Sequence, residues 1–236
     1  MWLIPAEDGR RWLKLHTMVT ASRAAGALLL ATVLLVSCTR TVDDARAVAG
    51  DDLSAAGDSG GLGSSQCEVV DDPLTTIPAK NDNEPVMRIP TPPGWVRTTM
   101  MDSELIRFAM RNDDLTAQGF TPNVVVTLES APGAQDAGLI FTNMRDALES
   151  GIGATAVRET ERSLCGEPAR TFNYQMPAMG NVAPHPAVAL GAVMRTQNRT
   201  FAVSVTVQTL VPEDPTYQRD SETILDGFQL LPPSAG

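Results

Sequence analysis

Apolar and polar positions alternate with period two in residues 199–209, RTFAVSVTVQT. Phe201, Val203, Val205 and Val207 fall on one side, and Ala202, Ser204, Thr206 and Gln208 on the other. This is the signature of a strand with one covered and one tolerant face. Residues 187–195 precede it across the polar Thr196-Gln197-Asn198, so the two predict a long antiparallel hairpin. Residues 124–128, VVVTL, are a continuous β-branched run, which suits a strand buried on both faces. Residues 169–176 predict another strand, with Phe172 and Tyr174 in alternation, and residues 105–110 and 156–164 are weaker candidates. Two stretches change to helical spacing. Residues 134–150 place Leu139, Ile140, Met144, Ala147 and Leu148 along a helix that Gly151 stops. Asp214 and Pro215 open a second helix, with Tyr217, Ser221, Ile224, Leu225 and Phe228 on one face and Gly227 breaking its last turn. The pattern predicts an α+β fold, a mostly antiparallel sheet flanked by helices.

Residues 87–97 read MRIPTPPGWVR. A short strand over 87–89 must stop where Pro90, Pro92 and Pro93 remove backbone donors and fix φ. Gly94 permits the turn, and Trp95 opens the next strand. Two roles stand for the indole: a wedge plugging the core beside the turn, or an aromatic platform for a ligand or partner.

The N-terminal third changes the picture from fold to location. Residues 24–36, AAGALLLATVLLV, carry no charge; they are too short to span a bilayer and suit the core of a signal peptide. Arg10, Arg11, Lys14 and Arg23 form a basic region before it, and either Met1 or Met18 serves as a start. Sec and Tat export both fit. Leu35-Val36-Ser37-Cys38 resembles the bacterial lipobox, in which the cysteine thiol takes a diacylglycerol and the chain is cut before it. The expected organisation is a leader over 1–37, a lipidated Cys38 with a flexible tether to residue 66, and one globular domain over 67–236. Such an anchor holds the protein at the outer side of the cell membrane, attached rather than spanning, and a released fraction is compatible with it.

The net charge is −10, and removal of the leader takes away four cations and two anions, leaving −12. A surface this acidic argues against nucleic acid as a partner. Cys67 and Cys165 are the two thiols left once Cys38 carries lipid. Outside the reducing cytosol they predict a disulfide.

Candidate chemistry is sparse. His185 is the one histidine after the leader, flanked by Pro184 and Pro186 in what reads as a loop, and there is no Gly-x-Ser-x-Gly elbow. Zinc ligands do not cluster, and Asp71-Asp72 and Asp113-Asp114 lack calcium-loop spacing and read as solvated turns. Glu129 follows the central strand but brings no defined second carboxylate. No catalytic residue, metal or cofactor is expected. The methionines fill a core poor in aromatics or line an apolar pocket. Trp95, Met100 and Met101 are the candidate ligand or partner surface.

The segment Ile89-Pro90-x-Pro92-Pro93-Gly94-Trp95, the lipobox at Cys38, the tether and the closing Gly227-Phe228 together resemble the LpqN/LpqT family of mycobacterial lipoproteins. The resemblance runs from Val86 to the C-terminus. It implies a PsbP-like α/β/α sandwich, with a role as an accessory or binding protein of the envelope, or as a secreted antigen. It carries over no catalytic residues, and the Cys67–Cys165 pair departs from it. The functions expected are a non-catalytic module for a protein partner or, alternatively, a carrier of an apolar lipid between sheet and helix.

Overall fold

The computed structural model describes residues 66–234. The leader, Cys38 and the expected tether up to residue 65 lie outside them. In chain order the elements are β1 (Leu74–Ile77), β2 (Val86–Pro90), β3 (Trp95–Arg97), β4 (Ile106–Asn112), β5 (Asn123–Pro132), α1 (Ala137–Asp146), β6 (Thr155–Leu164), β7 (Glu167–Met176), β8 (His185–Arg195), β9 (Arg199–Gln208), α2 (Pro215–Asp226) and β10 (Gln229–Leu231). The strands form a seven-stranded sheet of order β3-β4-β5-β9-β8-β7-β6 and a three-stranded sheet of order β1-β2-β10. All pairings are antiparallel. The class is α+β.

Register separates the two faces of the large sheet. Val124, Val126 and Leu128 of β5 lie opposite Val207, Val205 and Val203 of β9, which lie opposite Val188, Leu190 and Ala192 of β8. This face packs against α2 and the small sheet, through Met87, Ile89, Ile224, Phe228 and Leu230, in one core cluster. On the other face Phe141, Ile140 and Met144 of α1 pack on Phe172 and Tyr174 of β7 and on Ala189 and Val193 of β8. A helix therefore lies on each side of the sheet, as the sandwich requires.

The expected burial of residues 124–128 on both faces is corrected. Val125 and Thr127 are half-buried while their neighbours are fully buried. A helix about 10 Å wide covers roughly two strands at a spacing of about 4.8 Å. The helix α1 lies over β7 and β8, so the same face of β5 stays partly open.

Helix boundaries also differ from expectation. Asp136 caps α1, its side chain accepting from the Leu139 N–H, so the helix opens three residues late and gives way to a π-helical turn at Ala147–Gly151. The inward stripe is Ala137, Ile140, Phe141, Met144 and Leu148. Leu139 and Ala147 fall outside it, at 100° per residue, and are exposed. The helix α2 starts where predicted, with Asp214 accepting from the Thr216 and Tyr217 N–H groups and Pro215 first in the helix.

The proline-rich stretch joins the two sheets. In β2, Val86, Met87 and Arg88 pair with β10, whereas Pro90 pairs only with Leu74 of β1. Its missing N–H falls where no strand pairs on that side. Gly94, at φ +87°, then turns the chain into the large sheet, and a Cβ there would lie 2.8 Å from the Asn112 side chain. The short strands β1 and β10 were not expected, because four and three residues are too few to show a period.

Candidate functional site

Trp95 faces the core, 4% exposed, and its indole N–H donates to Asp220 Oδ2 at 2.9 Å. Asp220, on α2, is itself 1% exposed, and its Oδ1 accepts from Arg219 Nε at 3.0 Å and Nη2 at 2.7 Å. The indole is a wedge with a polar pin, not a platform. Met100, by contrast, is 84% exposed in the turn after β3, and Met101 beside it is half-buried. The three residues grouped from sequence therefore do not form one surface. Met87, Met110 and Met194 are core residues, and Met144 and Met176 belong to the cluster under α1.

Cys67 and Cys165 form a disulfide with an S–S distance of 2.02 Å. Cys165 and Gly166, at φ +50° and +86°, make the two-residue turn between β6 and β7, whose flanking residues Leu164 and Glu167 pair. The bond ties residue 67 to this turn.

A cleft of about 1010 Å³ opens two residues away. Its floor is the last core-side row of the sheet. Ser130, Phe201 and Met194 are paired across β5, β9 and β8, and Glu167, at the start of β7, lines the cleft beside them. Asn81, Asn83 and Glu84 of the β1–β2 loop and Pro232-Pro233 after β10 form the walls, with the 196–198 turn as rim. Arg199 Nη2 donates to Ser130 Oγ at 2.7 Å, and Arg195 Nε to the Gln135 carbonyl at 2.9 Å. Neither arginine is ion-paired among the described residues. The Arg107 guanidinium, 2.6 and 2.9 Å from Glu84, holds that carboxyl below its ordinary range. Burial pushes the Glu167 carboxyl up, against the pull of Arg195. Amides, hydroxyls, two guanidinium groups and two carboxylates around Phe201 and Met194 make a surface for holding polar groups. No single segment of the sequence announced it, because five separate turns and strand ends supply it.

His185 corrects another expectation. It is not in a loop but opens β8 opposite Met176, 1% exposed. Its Nδ1 lies 2.9 Å from the Ala183 carbonyl oxygen and its Nε2 3.0 Å from Gln208 Oε1, with the Phe120 ring centroid 5.0 Å away. The flanking prolines did not prevent pairing: Pro186 lies opposite Gln175 in the β7–β8 ladder. Glu129 lies opposite Ala202, and burial raises its carboxyl. Asp113 is paired with Arg111 at 3.0 Å.

No protein-family model matches the sequence, and no curated protein matches it. Among solved structures the chain is similar to LpqN, involved in cell envelope biogenesis of Mycobacterium tuberculosis, with a TM-score of 0.55 at 14% identity, over 68% of this chain and 91% of that one. It also matches the Saccharomyces cerevisiae Ran-binding protein Mog1p with a TM-score of 0.43 at 13% identity, over 67% and 96% of the two chains. The likeness to LpqN shows a shared fold.

Proposed function

We propose that this protein is a non-catalytic binding module of the cell envelope, anchored through Cys38, which engages a protein partner through the cleft beside the β6–β7 turn. The observation that carries this reading is the contrast between a filled interior and that open cleft. Where α1 meets the sheet there is no slack: a Cβ on Gly191 would lie 2.7 Å from Met144 Sδ and 3.2 Å from the Phe172 ring. An apolar carrier needs a cavity at such a place, whereas Met110, Met144, Met176 and Met194 are packed in the two core clusters and Met100 stands exposed outside them. The shared fold with an envelope-biogenesis protein and the lipobox at Cys38 support the location. The disulfide holds Cys67, near the start of the described residues, at the β6–β7 turn, at the same end of the sheet as the cleft.

Photo-cross-linking in the envelope tests the reading. A benzophenone side chain at Gln197 or Asn198 should give a protein adduct, and one at Asp114, in the turn after β4, should not. Equal adducts from both ends, or none from either, would overturn it. Native mass spectrometry of a Cys38→Ala variant, purified without detergent, should return the bare chain mass; a lipid-sized excess would move the assignment to the carrier.

A further inference from the structure

Cations are scarce in the folded part, and most of them are already engaged. Residues 66–234 hold twelve Lys and Arg against twenty-one Asp and Glu. Eight of the twelve are ion-paired among the described residues; Arg88, Arg158, Arg195 and Arg199 are not. Where carboxylates outnumber cations this heavily, an arginine without one is the exception. Two of the four exceptions, Arg195 and Arg199, line the same cleft. They flank the 196–198 turn, which the Thr196 N–H closes by donating to the Arg199 carbonyl at 2.8 Å.

Each guanidinium is positioned without being neutralised. Arg199 is held by the Ser130 hydroxyl and Arg195 by the Gln135 carbonyl, both uncharged acceptors. A guanidinium only donates, so the direction of these bonds is fixed. Each spends one N–H on its anchor, and the rest of the fork has no acceptor among the described residues. The two carboxylates of the lining do not fill that place. Glu84 is taken by Arg107 at 2.6 and 2.9 Å, and Glu167 is attracted by Arg195 without being ion-paired to it. The amides of Asn81, Asn83, Gln197 and Asn198 complete the lining. An amide carries donors and an acceptor together, which matches the N–H and C=O of a peptide main chain. A phosphate offers acceptors alone, and it would meet Glu84 and Glu167 with like charge. At about 1010 Å³ the cleft also stands at the upper end of the range for a drug-sized ligand.

We propose that the cleft seats a short acidic peptide segment of the partner, its carboxylates on Arg199 and Arg195 and its main chain on the amides. This rests on the reading of the cleft as the partner's seat. Arg forks recognise carboxylates through charge-assisted bonds, often two at once. The acidic surface around the cleft repels a long acidic tail, so one or two acids in an otherwise neutral segment fit best.

The test is an NMR titration of the full chain carrying Cys38→Ala with the end-blocked peptide Gly-Glu-Glu-Gly. Amide resonances of residues 195–199 should shift, and the uncharged twin Gly-Gln-Gln-Gly should bind at least about tenfold more weakly. Arg199→Gln should weaken the glutamate peptide by about tenfold, the loss expected for one charge-assisted bond. Arg158→Gln removes an unpaired arginine from the edge strand β6, outside the cleft, and should leave binding unchanged. No shift at 195–199, equal binding of the two peptides, or an equal loss in Arg158→Gln would overturn the proposal. Inorganic phosphate binding as tightly as the glutamate peptide would overturn it too, leaving a general anion site. Should Arg199→Gln not fold, Arg195→Gln, at an exposed side chain, gives a second reading, and unchanged affinity there overturns the proposal equally. Cross-linking keeps the two readings apart. Protein adducts at Gln197 or Asn198 without peptide binding overturn this inference alone, whereas absence of the adducts overturns both.

Discussion

Replacing Trp95 with phenylalanine isolates one hydrogen bond to a buried charge. Phenylalanine retains an aromatic ring beside the Gly94 turn but removes the N–H that Asp220 Oδ2 accepts at 2.9 Å. Hydrogen bonds to charged groups contribute about 1.5–3 kcal/mol, and a buried acceptor stripped of its donor bears the desolvation cost alone. Arg219 continues to donate twice to the other carboxylate oxygen, so the charge is not orphaned and the lower part of that range applies. The smaller ring also leaves a void, whose cost must be separated from the bond. A double-mutant cycle with Asp220→Ala does this, because the void term appears in both arms that contain Trp95→Phe. The expected coupling is about 1.5–2 kcal/mol. For a domain of this size, each kcal/mol shifts the melting temperature by about 2–4 °C, so the bond alone corresponds to roughly 3–8 °C. Urea unfolding followed by far-ultraviolet circular dichroism is the assay, since Trp95 is the one tryptophan of the described residues and its fluorescence vanishes with the substitution. A coupling below about 0.5 kcal/mol would mean that the indole acts through volume alone, and the polar pin would be refuted.

Paired Cys67→Ala and Cys165→Ala substitutions open a loop with a sequence separation of 98 and should cost about 4–5 kcal/mol, read as a lower urea midpoint; an unchanged midpoint would show that the bond constrains nothing in the unfolded chain. In Gly227→Ala the new Cβ would lie 2.7 Å from both methyls of Val70 and 2.8 Å from the Pro90 ring, so overpacking should destabilise by about 1–3 kcal/mol, and a Val70→Ala background should recover part of it. For Glu84 the folded carboxyl is held below its ordinary 4.5 by Arg107, so its stabilisation is present above that pH and lost as pH falls through the folded value. Melting temperature against pH should therefore drop more steeply below pH 4.5 in the parent than in Glu84→Gln, and parallel curves would remove the pair from the account.

The period-two strands and both helices were legible because each carries its signal within one segment. The hairpin of β8 and β9 shows it best: ten alternating residues, a polar turn and the returning strand fix the register without reference to the rest of the chain. What failed needed knowledge of a distant partner. The run at residues 124–128 looks buried on both faces, yet how much of its second face is covered depends on which strands α1 overlies. Phe141 was missed and Leu139 misplaced because a cap at Asp136 sets where the helical stripe begins. The proline pair around His185 reads as a loop, whereas edge-to-edge pairing with β7 draws it into the ladder.

The candidate site was illegible for the same reason, carried further. Asp220 looks like one more acid on an exposed helix, and only the indole 125 positions away makes it a buried acceptor. The cleft is assembled from Asn81, Ser130, Glu167, Arg199 and Pro232, each a common turn or strand-end residue with no spacing that links them. Catalytic and metal sites are found in sequence because their chemistry demands rare residue types. A cleft lined by amides, hydroxyls, two arginines and two glutamates makes no such demand, so what defines it is register. The pairing of Ser130 with Phe201 and of Phe201 with Met194 is what turns three unrelated residues into a floor. A one-residue slip of β9 would send Phe201 to the opposite face and erase the cleft without altering a single lining residue.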